Sequence, residues 1–322
     1  MQMKQKIKEE VLNLYMSHPF PMWDKRERKH RLSAELCRYR FLGLESAMSG
    51  AKFLEIGCGT GNRSMLVAKH FGVKEFTGFD QSSESLEIAK QVAVEEGFEK
   101  RFKAVQGDLF NLPFEDNSFD VVVSWGVLHH TDDPYLGFKE AIRVLKPGGY
   151  MGLFLYNKFN HWRHNLQKNK VSRLAGSNIE DRFNVAHKLY GKKDITEMTP
   201  EDIAIFYDQY CHPHKSDHTV GETLAWFEQL GLDFQGSYPT LNFNDLVPLL
   251  KYRSSLRAEF PLRSGSKLSW ILDFLDRLPD VPPKSSYRKP FWIEQILWQL
   301  AYAWIGRHGD YSQGPALSAR KN

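Results

Sequence analysis

Three glycines at every second position, Gly57, Gly59 and Gly61, follow the apolar run Lys52–Ile56 and lead into an amphipathic stretch. Glycine there lets the backbone turn and approach a ligand with no Cβ in the way. Acids flank the loop along the chain. Glu55 precedes it, Asp80 closes the next apolar run, and Asp108 follows the third, in Val105-Gln106-Gly107-Asp108-Leu109. Asp80 stands close to the distance at which an acid holds ribose hydroxyls in nucleotide-binding sheets. The dinucleotide fingerprint G-x-G-x-x-G is not met, because Asn62 occupies the place of its third glycine. A carboxylate at Glu55 serves an ammonium group well and a pyrophosphate badly. The ligand that fits is a nucleoside with an amino-acid end and no phosphates.

S-adenosylmethionine (AdoMet) is such a nucleoside, and its sulfonium makes the methyl an electrophile. Direct SN2 transfer needs an aligned acceptor about 3 Å away. A base is needed only where the acceptor is protonated. Groups able to meet an acceptor cluster in two places. The first is His129-His130-Thr131, after the fourth apolar run. The second is Tyr207-Asp208-Gln209-Tyr210-Cys211-His212-Pro213-His214, with His218 just beyond. No pair in the second cluster has an established ligand spacing and Pro213 makes it an extended loop, so it reads as an active-site roof and not as a metal centre. Tyr207, Asp208 and His212 are the candidates there for substrate contact or base.

The elements that must position these groups alternate between strand and helix. Lys52–Ile56, Phe76–Phe79, Phe102–Val105, Asp120–Ser124 and Tyr150–Tyr156 read as strands. Between them lie a helix Asn62–Phe71 stopped by Gly72, one starting near Ser82 or Ser83 and ending at Gly97, and one entered through Asp133-Pro134. This order predicts a parallel sheet covered on both faces, with ligands beyond the strand ends. Residues 1–50 read as an N-terminal helical lid, in which Tyr15, Phe20 and Trp23 could cover the cofactor and the basic run Lys25–Arg31 is a solvated face. Residues 51–238 form the main domain with an insertion at 157–218. Alternation resumes at the capping box Thr219…Glu222, followed by a strand Leu232–Tyr238. Residues 239–306 read as a helical cap and 307–322 as a last strand and tail. The segment 291–305 is apolar nearly all round (Trp292, Ile296, Leu297, Trp298, Tyr302, Trp304), too short to span a bilayer but suited to peripheral membrane contact.

Composition excludes other classes. The 322 residues, 42% hydrophobic and 25% charged, suffice for one large core with appendages. A net charge of +4 on this length does not argue for nucleic acid. Cys37, Cys58 and Cys211 are scattered and odd in number, which fits a reducing, cytoplasmic setting without zinc or disulfides. The charged N-terminus has no apolar signal core.

Together, Glu55-Ile56-Gly57-Cys58-Gly59-Thr60-Gly61, Asp80, Gly107-Asp108, Phe119-Asp120-Val121 and Leu145-Lys146-Pro147-Gly148-Gly149 resemble the ordered motifs of the class I AdoMet-dependent methyltransferases, most of all the type 11 small-molecule subgroup. The resemblance covers residues 50–156 and resumes at 219–238. It implies an α/β, Rossmann-like sheet of seven strands, mostly parallel, with the last strand antiparallel and helical insertions around it. It implies that Gly57, Gly59 and Gly61 lie under the methionine part and the ribose, with Cys58 in the same loop. Glu55 would reach the amino group, Asp80 the ribose hydroxyls, Gln81 the adenine flank and Asp108 the adenine amine. Leu109 would pack on the ring, and Ser124 and Trp125 would lie beside the sulfonium. Relatives place a histidine in the loop after the fourth strand to tie it to the next helix. His130 takes that role here, leaving His129 to face substrate.

The expected activity is methylation of a small, hydrophobic or aromatic molecule: lipid-like, a quinone or a specialised metabolite. The 13% aromatic content, concentrated in the insertions, supports such a pocket. A non-catalytic AdoMet-binding sensor or partner subunit is the alternative from another class, and tRNA or rRNA methylation is a third. Against the last, Ser124-Trp125-Gly126-Val127 stands where base-flipping amine methylases carry Asn-Pro-Pro-aromatic.

Overall fold

The computed structural model describes residues 2–238, 241, 289–307 and 315–322. Seven strands, β1 (Lys52–Ile56), β2 (Glu75–Asp80), β3 (Phe102–Gln106), β4 (Phe119–Trp125), β5 (Leu145–Phe154), β6 (Leu232–Tyr238) and β7 (Ala316–Lys321), form one sheet in the order β3-β2-β1-β4-β5-β7-β6. β1 to β5 are parallel neighbours, and β7 lies antiparallel between β5 and β6. This is the seven-stranded, Rossmann-like arrangement with its antiparallel last strand. Order reverses between β1 and β4, so the crevice beyond their C-terminal ends is where a ligand binds.

Local chemistry sets the helices on this sheet. Ser82 caps α5 (Ser83–Glu95), its side chain accepting from Ser85 N. Asp133 caps α6 (Pro134–Val144) in the same way, with proline in the first turn. Thr219 and Glu222 close a reciprocal capping box on α10 (Val220–Gln229). α4 (Met65–His70) starts later than its apolar pattern suggests, because Asn62 turns its side-chain amide to the Pro21 carbonyl. The Pro147-Gly148-Gly149 turn falls inside β5, where pairing with β4 shifts between Phe119 and Val121.

The main core runs through both faces of the sheet, with Phe53, Phe76, Phe79, Phe138 and Phe227 fully buried. α1 (Gln2–Ser17) and α2 (Lys25–Phe41) cover the strand ends, joined to β1 through α3 (Glu45–Met48). The basic run is not wholly a solvated face. Arg28 is 3% exposed and its guanidinium reaches Glu96 (3.0 Å), Glu95, Asn62 Oδ1 (3.0 Å) and the Trp23 carbonyl (3.2 Å).

The 157–218 insertion folds as α7 (Trp162–Ala175), α8 (Ile179–Tyr190), α9 (Pro200–Phe206) and a π-helical turn, Tyr207–Cys211. These pack a second core of Val171, Phe183, Ala186, Tyr207, Tyr210 and Cys211 around Leu14 of α1. Of the expected 239–306 cap, residues 239–240 and 242–288 lie outside the described residues. Its end is α11 (Trp292–Arg307), which buries Trp298 and exposes Trp292, Ile296 and Leu300. Among the described residues no helix is long and apolar enough to cross a membrane.

Candidate functional site

A cavity of about 320 Å³ opens beyond the β1 and β4 ends. β1 delivers Glu55 and the glycine loop to its floor. Gly57 and Gly59 have φ of 72° and 53°, where side chains other than glycine are strained. A Cβ on Gly57 would stand 2.3 Å from Val127, and one on Gly59 would stand 2.1 Å from the Phe20 carbonyl oxygen. The loop is therefore pressed between β4's exit and the N-terminal segment. Pro21 O accepts from the side chains of Thr60 and Asn62 (2.9 Å for Asn62).

The acids converge as their spacing suggested. Asp80 receives Gly59 N–H on Oδ2 (2.8 Å) and Ser82 N–H on Oδ1 (2.9 Å). Burial raises its pKa, and those backbone donors oppose the rise. Glu55 is fully buried and Oε2 has no hydrogen-bond partner. Burial pushes its carboxyl up to about 8. An ammonium group would supply the missing donor and charge. Asp108 accepts from Phe110 N (3.1 Å) and from Lys8 Nζ of α1 (2.6 Å). Cys58, Gln81, Leu109 and Trp125 also line the cavity. Ser124 does not. It is fully buried and donates to the Ile56 carbonyl (3.3 Å), tying β4 to β1. Trp125 donates its Nε1–H to Tyr39 Oη (3.1 Å), which fixes the indole in the wall.

The opposite wall comes from α1, the end of β5 and the insertion. Asp208 lies on the cavity and accepts Tyr15 O–H on Oδ1 (2.8 Å) and Tyr156 O–H on Oδ2 (3.1 Å). His130 Nε2 stands 3.8 Å from Asp208 Oδ1, and its Nδ1 bonds the His214 carbonyl (3.2 Å). Burial holds His130 down to about 4, so its ring is neutral. Residues expected at the acceptor are partly redistributed. His129, expected to face substrate, is buried behind the wall, stacked on Tyr156 (3.7 Å) with Nδ1 accepting from Tyr156 N. His130 takes the cavity position instead. The two follow one another on a single 3₁₀ turn, Leu128–His130, so only one can point inward. Tyr207 also points away, its hydroxyl on Glu180 Oε2 (2.8 Å) and its ring stacked on His18. His212 is fully buried and stacks on His130 (3.7 Å) without lining the cavity.

Several lining groups escaped sequence reading: Lys8, Tyr156, His161, His164 and Glu201. Tyr156 lies two residues past the end of β5, and the rule that ligands sit beyond strand ends could have found it. The others belong to α1 and the insertion, where no motif spacing marks them. Glu201 ties down the N-terminal segment, accepting Met22 N–H (2.7 Å) and Trp23 Nε1–H (2.8 Å). Phe20 and Trp23 line the cavity with Tyr15. Among the described residues no group of three side chains could hold a metal ion.

A family model described as a methyltransferase domain matches residues 54–153, the segment carrying β1 to β5. An uncharacterised protein of Synechococcus is 26% identical over 257 residues, covering 73% of this chain and 61% of its own length. A demethylmenaquinone methyltransferase of Staphylococcus aureus is 42% identical over 101 residues, 31% of this chain and 41% of that protein. The chain thus spans about half the length of these curated relatives. Among solved structures, an S-adenosylmethionine-dependent methyltransferase of Mesorhizobium loti is 17% identical, covers 89% of this chain and 100% of that one, and has a TM-score of 0.46. Residues 54–153 are a class I methyltransferase domain, and that family and fold imply S-adenosylmethionine as the methyl donor.

Proposed function

We propose that the chain transfers the methyl group of AdoMet to a small molecule with an aromatic or hydrophobic part. The observation that carries this reading is a single cavity walled on one side by Gly57, Asp80 and Asp108 and on the other by Tyr15, Tyr156 and Asp208. Direct transfer needs donor and acceptor in one space, in line and out of water. The cofactor half has a place for each part of AdoMet: buried Glu55, with Oε2 unpartnered, for the amino group, oriented Asp80 for the ribose, and Asp108 with Leu109 for the adenine. AdoMet supplies an electrophilic methyl on a sulfonium, and the side chains around it need only position and desolvate the acceptor. Trp125, Phe154 and Tyr156 give the acceptor half flat apolar surfaces, which suit a planar ring.

The relative named for demethylmenaquinone is similar over 101 residues, 31% of this chain, so it bears little on the acceptor. A quinol-like substrate is compatible with these aromatic walls, and the acceptor is read here from this chain's own residues. Calorimetric titration with AdoMet and with its demethylated product tests the first half of the reading. Release of labelled methyl onto a panel of aromatic hydroxyl compounds, amines and total RNA tests the second. Binding with no transfer to any acceptor would point to a sensor or partner subunit, and label on RNA would point to RNA modification.

A further inference from the structure

The acceptor end of the cavity holds more acid–base chemistry than an already activated acceptor needs. Asp208 is the centre. Both its oxygens take phenolic hydrogens from side chains, Tyr15 on Oδ1 and Tyr156 on Oδ2, and Oδ1 also faces His130 Nε2 at 3.8 Å. His130 Nδ1 lies against a backbone carbonyl, which can only accept, so that nitrogen carries the hydrogen. The lone pair is then on Nε2, on the side of Asp208, and both residues line the cavity. His130 is packed by His129, His212 and Tyr156, with Tyr15 edge-on. Lys168 and Lys215 lie near enough to oppose a charge on it, and Asp208 favours one.

We propose that His130 accepts the proton of a phenolic or enolic hydroxyl as the methyl is transferred to its oxygen, with Asp208 stabilising the imidazolium that forms and the Tyr15 and Tyr156 hydroxyls holding Asp208 in place. This rests on the reading of the cavity as a methyl-transfer site. As the O–CH3 bond forms, the sulfonium's C–S bond breaks with its electron pair passing to sulfur. The O–H bond breaks with its proton passing to Nε2, and that proton later leaves to water. A neutral, weakly basic imidazole suffices, because the oxygen loses its basicity as it gains the methyl and the proton must then go elsewhere. A base at this position serves a hydroxyl, which must shed its proton as its oxygen is methylated.

The test uses the whole chain and two groups of phenols. Naphthol and catechol keep their proton at about pH 8, while para-nitrophenol and pentafluorophenol have largely lost theirs. In His130→Gln, kcat/KM for the first group is expected to fall by roughly 100-fold or more, and for the second by less than about tenfold. Asp208→Asn should show the same ordering. The AdoMet dissociation constant, measured by calorimetry, should match the unaltered protein, which shows the fold and cofactor half intact. A readout apart from turnover is the absorbance of para-nitrophenol bound beside the demethylated product. Its half-ionisation pH should fall in His130→Gln, because the amide can donate to the phenolate where the neutral Nε2 can only accept. Equal losses for both groups of phenols would make His130 a merely structural residue and overturn the proposal while leaving the methyltransferase reading standing. Methylation of amines and of no phenol would overturn the hydroxyl assignment. Failure of the unaltered protein to bind AdoMet at all would remove the underlying reading and the proposal with it.

Discussion

Asp80 receives a backbone N–H on each carboxylate oxygen, from Gly59 and from Ser82, so its remaining lone pairs are oriented before any ligand arrives. Asp80→Ala removes that orientation and, on the proposed reading of the site, two charge-assisted bonds to the ribose. AdoMet affinity is expected to fall roughly 10- to 100-fold, read by calorimetry. Glu55 makes a different demand. Buried with one oxygen unpartnered, it holds its proton up to about pH 8 in the free protein, against an ordinary value of 4.5. Its folded-state pKa is raised, so the folded form keeps a proton that the unfolded form has lost. Stability from this group is present below about 4.5 and declines as pH rises towards 8. Glu55→Gln should therefore flatten the fall in Tm between about pH 5 and 8 in the ligand-free protein, and should also weaken AdoMet binding. A Tm profile of the same slope in both proteins would count against it. His129 and His130 mark the limit of sequence reading at this scale. Both are histidines on one turn, and which of them faces the cavity depends on where β5 and the insertion pack.

The strands, their order of alternation and three helix caps were legible because each has a local cause: β-branched runs, Ser82, Asp133-Pro134, and the Thr219–Glu222 box. The residues proposed to hold the cofactor were legible for the same reason, since they sit in the short turns that leave the strands. The acceptor half was legible only in part. Asp208 was found from its neighbours in sequence, but His161 and His164 reach the cavity through tertiary packing alone. Arg28 illustrates the same limit within an element. It stands in a run of surface-like cations, yet it bridges α2 to the end of α5 through Glu96, whose side chain is also buried. Arg28→Met would leave Glu96 buried without its partner, and a loss of about 3–5 kcal/mol in unfolding free energy is expected from denaturant titration. By contrast, the Arg31–Glu27 pair on the solvated side of the same helix should contribute no more than about 0.5 kcal/mol. Glu201 offers a second element-level test. Glu201→Ala removes the acceptor of Met22 N–H and Trp23 Nε1–H, so cleavage by added protease within residues 18–24 should quicken.

At the scale of the molecule, two bodies of apolar packing meet over the cavity. The sheet core carries the glycine loop and its acids, and the smaller core of α7, α8 and the π-helical turn carries Asp208, with Leu14 of α1 inserted into it. The sheet's own closure depends on a distant segment. β7 pairs with β5 along Tyr150–Phe154 and with β6 along Leu232–Tyr238. Ser318 donates to the Leu42 carbonyl, fastening the end of α2 to the same strand. Removing residues 315–322 is expected to abolish cooperative unfolding, followed by far-UV circular dichroism, because it empties the middle of a three-strand ladder.

That inserted strand also dictates an order of events during synthesis. β5 emerges from the ribosome about 160 residues before the segment that will pair with its free side. Through all of that time a hydrophobic row of unpaired amide and carbonyl groups is exposed to whatever is nearby, including the same strand on another nascent chain. High-level expression should therefore favour aggregates nucleated at Tyr150–Phe154, and slowing translation or supplying a holdase chaperone during synthesis should raise the soluble yield.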